Sequence, residues 1–131
     1  MAGFSDYLEN KTLIHIFGGT AYTAPGTLYV GLYTAAPSDT GGGTEVSGGS
    51  YARKSMPDMT VSGTSPTQAT NGAAVEFVTA TGSWGTVTHV GVFDALTTGN
   101  LMAWAALTAS KTVASGDVFR FDAGDLDITL A

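Results

Sequence analysis

The chain has 131 residues, no cysteine, a net charge of −6, 44% hydrophobic residues and only 12% charged ones, against a usual charged share of about 25%. The missing cysteines exclude a disulfide-stapled scaffold, a thiolate nucleophile and a Cys-ligated metal. The acidic balance, with five basic residues scattered at Lys11, Arg53, Lys54, Lys111 and Arg120, argues against a nucleic-acid or anionic-membrane partner, since either needs a basic stripe.

This length and hydrophobic content predict a single domain over residues 1–131 with a real core. Residues 1–13 lack a basic stretch leading into a long apolar run, so no secretory signal is expected. No apolar run approaches the roughly 20 residues of a membrane helix, and a soluble protein is expected. Residues 5–17 are the one clear helix. Ser5 can cap it, Asp6 and Glu9 suit its positive end, and Gly18-Gly19 stop it. Tyr7 with Ile14, and Leu13 with Ile16 and Phe17, give it a wide apolar surface that needs a sheet or a partner to lie on.

From about residue 27 to 131 the pattern turns to strands. Leu28, Val30 and Leu32 share one face of residues 27–33, Tyr29 and Tyr33 the other. Residues 36–43 read as loop, 51–56 as a strand, 59–61 as a weaker one and 63–71 as loop again. Ala73, Val75 and Phe77 alternate. Residues 84–107 then form an apolar hairpin across a 94–100 turn. Alternation puts Thr86, Thr88, Val90 and Val92 opposite Val87, His89, Gly91 and Phe93. On the return strand it puts Leu101, Ala103, Ala105 and Leu107 opposite Met102, Trp104 and Ala106. Short strands near 118–121 and 126–130 complete a mainly β chain of seven or eight strands, an antiparallel β-sandwich or barrel-like domain with one N-terminal α-helix.

Catalytic chemistry finds little support. Ser83, His89 and Asp94 are the residue types of a hydrolase triad, but Ser83 and Asp94 are about 36 Å apart along an extended strand. Asp122, Asp125 and Asp127 in DAGDLD lack the ligand ladder of a calcium loop and read as an acidic turn. Gly41-Gly42-Gly43 and Gly48-Gly49 fit neither a P-loop nor a dinucleotide motif. Glu9, Glu45 and Glu76 share no motif that would make a glycosidase carboxylate pair. No metal or cofactor is expected. Among the aromatics, Tyr29, Tyr33 and Trp104 read as core. Trp84, between glycines and Ser83, reads as an exposed contact with Tyr51 beside it, where a host-surface glycan would be held. His89 reads as an interface side chain, and Tyr7 and Ile14 as contacts on a docking helix.

The segments SDYLEN, TLYVGLYTAAPSDTGGGTEVSGGSYAR, ATGSWGTVTHVGVFDA and GNLMAWAALT resemble a family of small tailed-phage proteins generally called phage tail fiber proteins. The similarity runs from Ser5 to about Asp127. Residues 90–94 and 99–101 are also similar to the GLFD…GNL hairpin of tail-collar fibre proteins. Residues 56–59 depart from the family pattern. The resemblance implies a virion structural role without enzyme activity, assembly in the host bacterial cytoplasm, and other virion proteins, capsid or tail, as partners. Compactness and the absence of heptads lean slightly toward capsid decoration (a cement protein) over a tail fibre or tail-tip appendage. A symmetric homo-oligomer is expected, with a trimer as one candidate order, and a carbohydrate-binding receptor module is the alternative.

Overall fold

In the computed structural model, which describes residues 3–130, buried Ser5 starts α1 (Asp6–Phe17). Its hydroxyl accepts from the Leu8 N–H and donates to Leu101 O at 2.6 Å, so one side chain caps the helix and ties it to the sheet. Asp6 and Glu9 occupy the first turn, where the helix dipole favours them. The Gly18 N–H closes the last turn on Leu13 O and Ile14 O. A Cβ at Gly18 would stand 2.9 Å from Ile14 Cα, so the stop requires glycine. No helix among the described residues is long and apolar enough to cross a membrane.

The strands are β1 (Gly3–Phe4), β2 (Leu28–Ala35), β3 (Thr44–Glu45), β4 (Lys54–Met56), β5 (Met59–Ser62), β6 (Thr67–Asn71), β7 (Val75–Glu76), β8 (Gly85–Phe93), β9 (Leu101–Val113), β10 (Arg120–Phe121) and β11 (Asp127–Leu130). The main sheet has the order β1-β9-β8-β2-β3, with β4 also paired to β2. A three-stranded sheet runs β11-β6-β5, and β10 pairs with β7. All pairings are antiparallel. Val30, Leu32, Val90, Val92, Ala103 and Ala105 of the main sheet share one buried cluster with Val75, Phe77, Phe119, Phe121 and Leu126. The result is the expected mainly β, sandwich-like arrangement; among the described residues no sheet closes into a barrel.

Two irregularities change the expected faces of the hairpin. Val87 faces Lys111 while His89 faces Ala106, so residues 107–110 bulge out of the ladder. Val87 therefore lies in the core together with Val90 and Val92, instead of opposite them. A second shift, between Val92↔Ala103 and Phe93↔Leu101, moves Leu101 to the outer face beside Trp104. The return strand continues to Val113 through polar residues with no apolar alternation to mark it. Thr67–Asn71 is likewise a strand and not loop. Its sequence TQATN carries no apolar pattern, and it is held by pairing on both sides, to β5 and β11.

Gly91 shows what the outer face demands. A Cβ there would lie 2.9 Å from both Leu101 Cδ1 and Tyr33 Cε2, because these side chains lie flat across the backbone. Gly91→Ala is expected to cost about 2 kcal/mol by overpacking, measured by urea unfolding; an unchanged midpoint would contradict this packing.

Candidate functional site

Trp84 is 4% exposed, which corrects the expectation of a surface contact. Its indole Nε1–H donates to Gly49 O at 2.9 Å, and its ring meets Tyr51 edge-on at 5.3 Å and Phe77 at 6.4 Å. Phe77 in turn meets Phe119 at 5.9 Å. The glycines around Trp84 let the backbone close over the ring; Gly49, at φ +56, would place a Cβ 2.9 Å from the indole. Glycine flanks thus signal close packing here and not exposure.

Tyr51 is half-buried and its hydroxyl repairs a gap in the main sheet. β4 pairs β2 at residues 28–30 and β3 pairs it from residue 33, which leaves the Leu32 N–H between them. That N–H donates to the Tyr51 hydroxyl at 2.9 Å, and the hydroxyl donates to Glu45 Oε2 at 2.7 Å. Arg53 grips the same carboxylate bidentately, Nε to Oε2 and Nη2 to Oε1, each at 2.9 Å. Its guanidinium lies 3.5 Å over the Phe93 ring, and Nη1 donates to Ala95 O and Thr98 O. Arg53 is therefore a clamp on the hairpin turn. The side-chain exposures of 9% for Arg53 and 26% for Glu45 make this a largely desolvated pair, unlike the open Arg120–Glu76 pair.

The turn is locked from within as well. Asp94 accepts from the Asn100 backbone N–H at 2.6 Å and from Asn100 Nδ2 at 2.9 Å. Gly99 sits at φ +71, where a Cβ would collide with Asp94. The VGVFD…GNL residues thus form one small structural unit: Gly91 makes room, Phe93 carries Arg53, and Asp94, Gly99 and Asn100 close the turn. Arg53 is the structural neighbour that composition concealed, since a single Arg-Lys pair reads only as weak surface charge.

Burial works against charge throughout this cluster. It pushes the Tyr33 hydroxyl up to about 12, with Glu45 adding to the rise and Arg53 opposing it. Burial also raises Tyr51, despite the Leu32 N–H that favours its anion. Burial disfavours the Arg53 cation too, but the hydrogen bonds and charge of Glu45 outweigh it. Both tyrosines are protonated in the folded chain at pH values where unfolded tyrosines ionise. Their contribution is therefore complete below pH 10 and is lost as pH rises through the folded values, about 12 for Tyr33. Thermal midpoints should fall between pH 10 and 12, and less so in Tyr33→Phe; an equal fall in both proteins would contradict this assignment.

His89 is half-buried on the outer face, bonded to Thr88 Oγ1 at 2.8 Å and 6.0 Å from the Trp104 ring. Trp104 is only partly buried, and its indole donates to Asp39. The triad residue types do not meet: Ser83 Oγ accepts from the Gly85 N–H, His89 bonds Thr88, and Asp94 bonds Asn100. The acidic turn is structural. Asp122 accepts from Arg120, Asp125 from the Asp122 N–H, and Asp127 from Gln68 and Thr70. Among the described residues no group of acidic or histidine side chains is placed to hold a metal.

The helix is the part left uncovered. Tyr7 is half-buried against Tyr22 at 6.5 Å, and Ile14 is half-buried, but no residue of α1 is buried. Leu13, Ile16 and Phe17 are 59%, 61% and 82% exposed. The last turn of this helix therefore presents an exposed apolar tip. A family model described as podophage GP4 fiber I protein gp80 matches residues 3–129 of the chain. No curated protein matches it.

Proposed function

The chain belongs to the podophage GP4 fiber I protein gp80 family, which is a family of phage fibre proteins, and on that premise we propose that it is a non-enzymatic structural subunit of a virion fibre. Compactness alone leans toward capsid decoration, and the fibre description of the family is the observation that favours a fibre. The subunit assembles in the host cytoplasm with copies of itself and with other virion proteins, using α1 as its docking element. The distribution of polar and apolar groups supports this reading. Trp84, Phe77, Phe119 and Phe121 are buried inside the domain, whereas the apolar tip of α1 is exposed. A receptor role through Trp84 and Tyr51 has no support, because Trp84 sits in the core cluster and the half-buried Tyr51 packs against it.

The test is genetic. Phage carrying a stop codon early in this coding sequence should produce filled heads on particles that lack one appendage, seen by negative-stain microscopy. Complete appendages on such particles, with failure confined to the head, would contradict the proposal.

A further inference from the structure

We infer that the acidic cleft between the start of α1, the 39–42 loop and the hairpin turn is a socket for an arginine side chain of another virion protein. The inference rests on the assembly reading above and gives it a binding site and a partner chemistry.

Three pinned segments converge at this cleft. Ser5 ties the helix root to Leu101 O at 2.6 Å, and the Asp6 N–H donates to Asp39 O at 3.0 Å. The Trp104 indole donates to Asp39 Oδ1 at 2.9 Å, and Asp94 accepts from the backbone and side-chain amides of Asn100. Together with Tyr33, Phe93 and Leu101, these segments bound a space of about 410 Å³. Pockets of about 300–1,000 Å³ take whole small ligands, so a guanidinium with part of its stem fits.

The groups left open here are acceptors. Neither Asp6 nor Asp39 is in an ion pair among the described residues. Asp39 uses one oxygen on the Trp104 indole and keeps Oδ2, while Asn100 directs its donors to Asp94 and keeps Oδ1. Tyr33 is the telling residue. It is only 4% exposed, and its hydroxyl has no hydrogen-bond partner among the described residues. No side-chain polar atom among these residues is both fully buried and unpaired. The hydroxyl therefore emerges where Tyr33 lines the cleft.

Acceptors without a base call for a donor that carries positive charge. No lysine, arginine or histidine lines the cleft. Two carboxylates also outweigh the half positive charge of a helix start. A sugar fits less well, because it needs donors as well as acceptors and an open ring face. Tyr33 and Phe93 are buried, and Tyr7 meets Tyr22 edge-on with Lys11 5.6 Å over its ring. The acceptors stand on separate segments, which suits the planar five-donor fork of arginine better than a compact ammonium. A second copy of this chain is not the donor. Its two arginines are engaged, Arg53 with Glu45 and Arg120 with Glu76 and Asp122.

The probe is N-acetyl-arginine amide, titrated into the full chain and followed by amide NMR shifts. Its uncharged isostere N-acetyl-citrulline amide, N-acetyl-lysine amide and methyl glucoside are the comparators. Saturable shifts should centre on residues 6–7, 39–42 and 99–101, with the arginine derivative about 10-fold tighter than the citrulline one. Asp39→Asn keeps an acceptor for the Trp104 indole, and Asp6 is exposed, so neither Asp39→Asn nor Asp6→Asn threatens folding. Each should weaken binding by about 10-fold with an unchanged thermal midpoint. Tyr33→Phe should weaken it too, whereas Asp58→Asn, outside the cleft, should not. The inference is overturned if no saturable shift appears by about 50 mM arginine derivative, a limit of very weak affinity. It is equally overturned if any comparator binds as well, or if Asp58→Asn weakens binding as much as Asp39→Asn. The fibre reading stands or falls separately, on the appendage phenotype of the stop-codon phage.

Discussion

Trp84→Ala is expected to lower the unfolding free energy by about 4 kcal/mol, the range of buried aromatic truncations. Domains are stable by about 5–15 kcal/mol in total, so this is a large share. Three effects combine. The indole is 4% exposed, its loss removes the edge contacts with Tyr51 and Phe77, and Gly49 O loses its donor. The denaturant midpoint should drop while the slope stays constant. Trp84→Phe should recover part of the loss, since it keeps a ring and forfeits the hydrogen bond. A folded Trp84→Ala protein with wild-type stability would place the side chain on the surface after all.

Arg53→Ala is expected to cost about 3 kcal/mol, because it leaves the Glu45 carboxylate partly desolvated beside the Tyr51 hydroxyl and removes the clamp on Ala95 O and Thr98 O. The geometry is specific to a guanidinium. Two parallel hydrogen bonds to Glu45 and a flat stack on Phe93 use the planar fork, so Arg53→Lys should recover less than half of the loss. A double-mutant cycle with Glu45→Gln should show coupling above about 1 kcal/mol. Additive effects would reduce the pair to a surface ion pair of negligible worth.

Local patterns in the sequence carried the helix, the two faces of β2 and the hairpin, because each depends on neighbours within a few residues. Ser5, the first-turn acids and Gly18 are all readable as helix signals, and the structure uses each of them. The inversion of Val87 and Leu101 was not readable. A bulge is set by which residues of the partner strand are skipped, and the alternation of one strand contains no record of that. β6 carries no signal for a related reason: TQATN has no apolar alternation, and its partners, the flanking strands and the Asp122–Asp127 segment bonded by Gln68, Thr70 and Asn71, are distant in sequence. Trp84 shows the limit for sites. Glycines beside an aromatic suit an exposed loop and a tightly closed backbone equally well, and only the distant Gly49 and Phe77 decide between them. Arg53 gained its role from Glu45, Phe93 and the 95–98 turn, eight to forty-five residues away in sequence.

Fibre and capsid locations differ in copy number and symmetry, so a reconstruction of the whole virion at a resolution that separates β-sheets is the most direct test. The account predicts copies of this domain in an appendage. Copies spread over the head lattice, with none in an appendage, would contradict it.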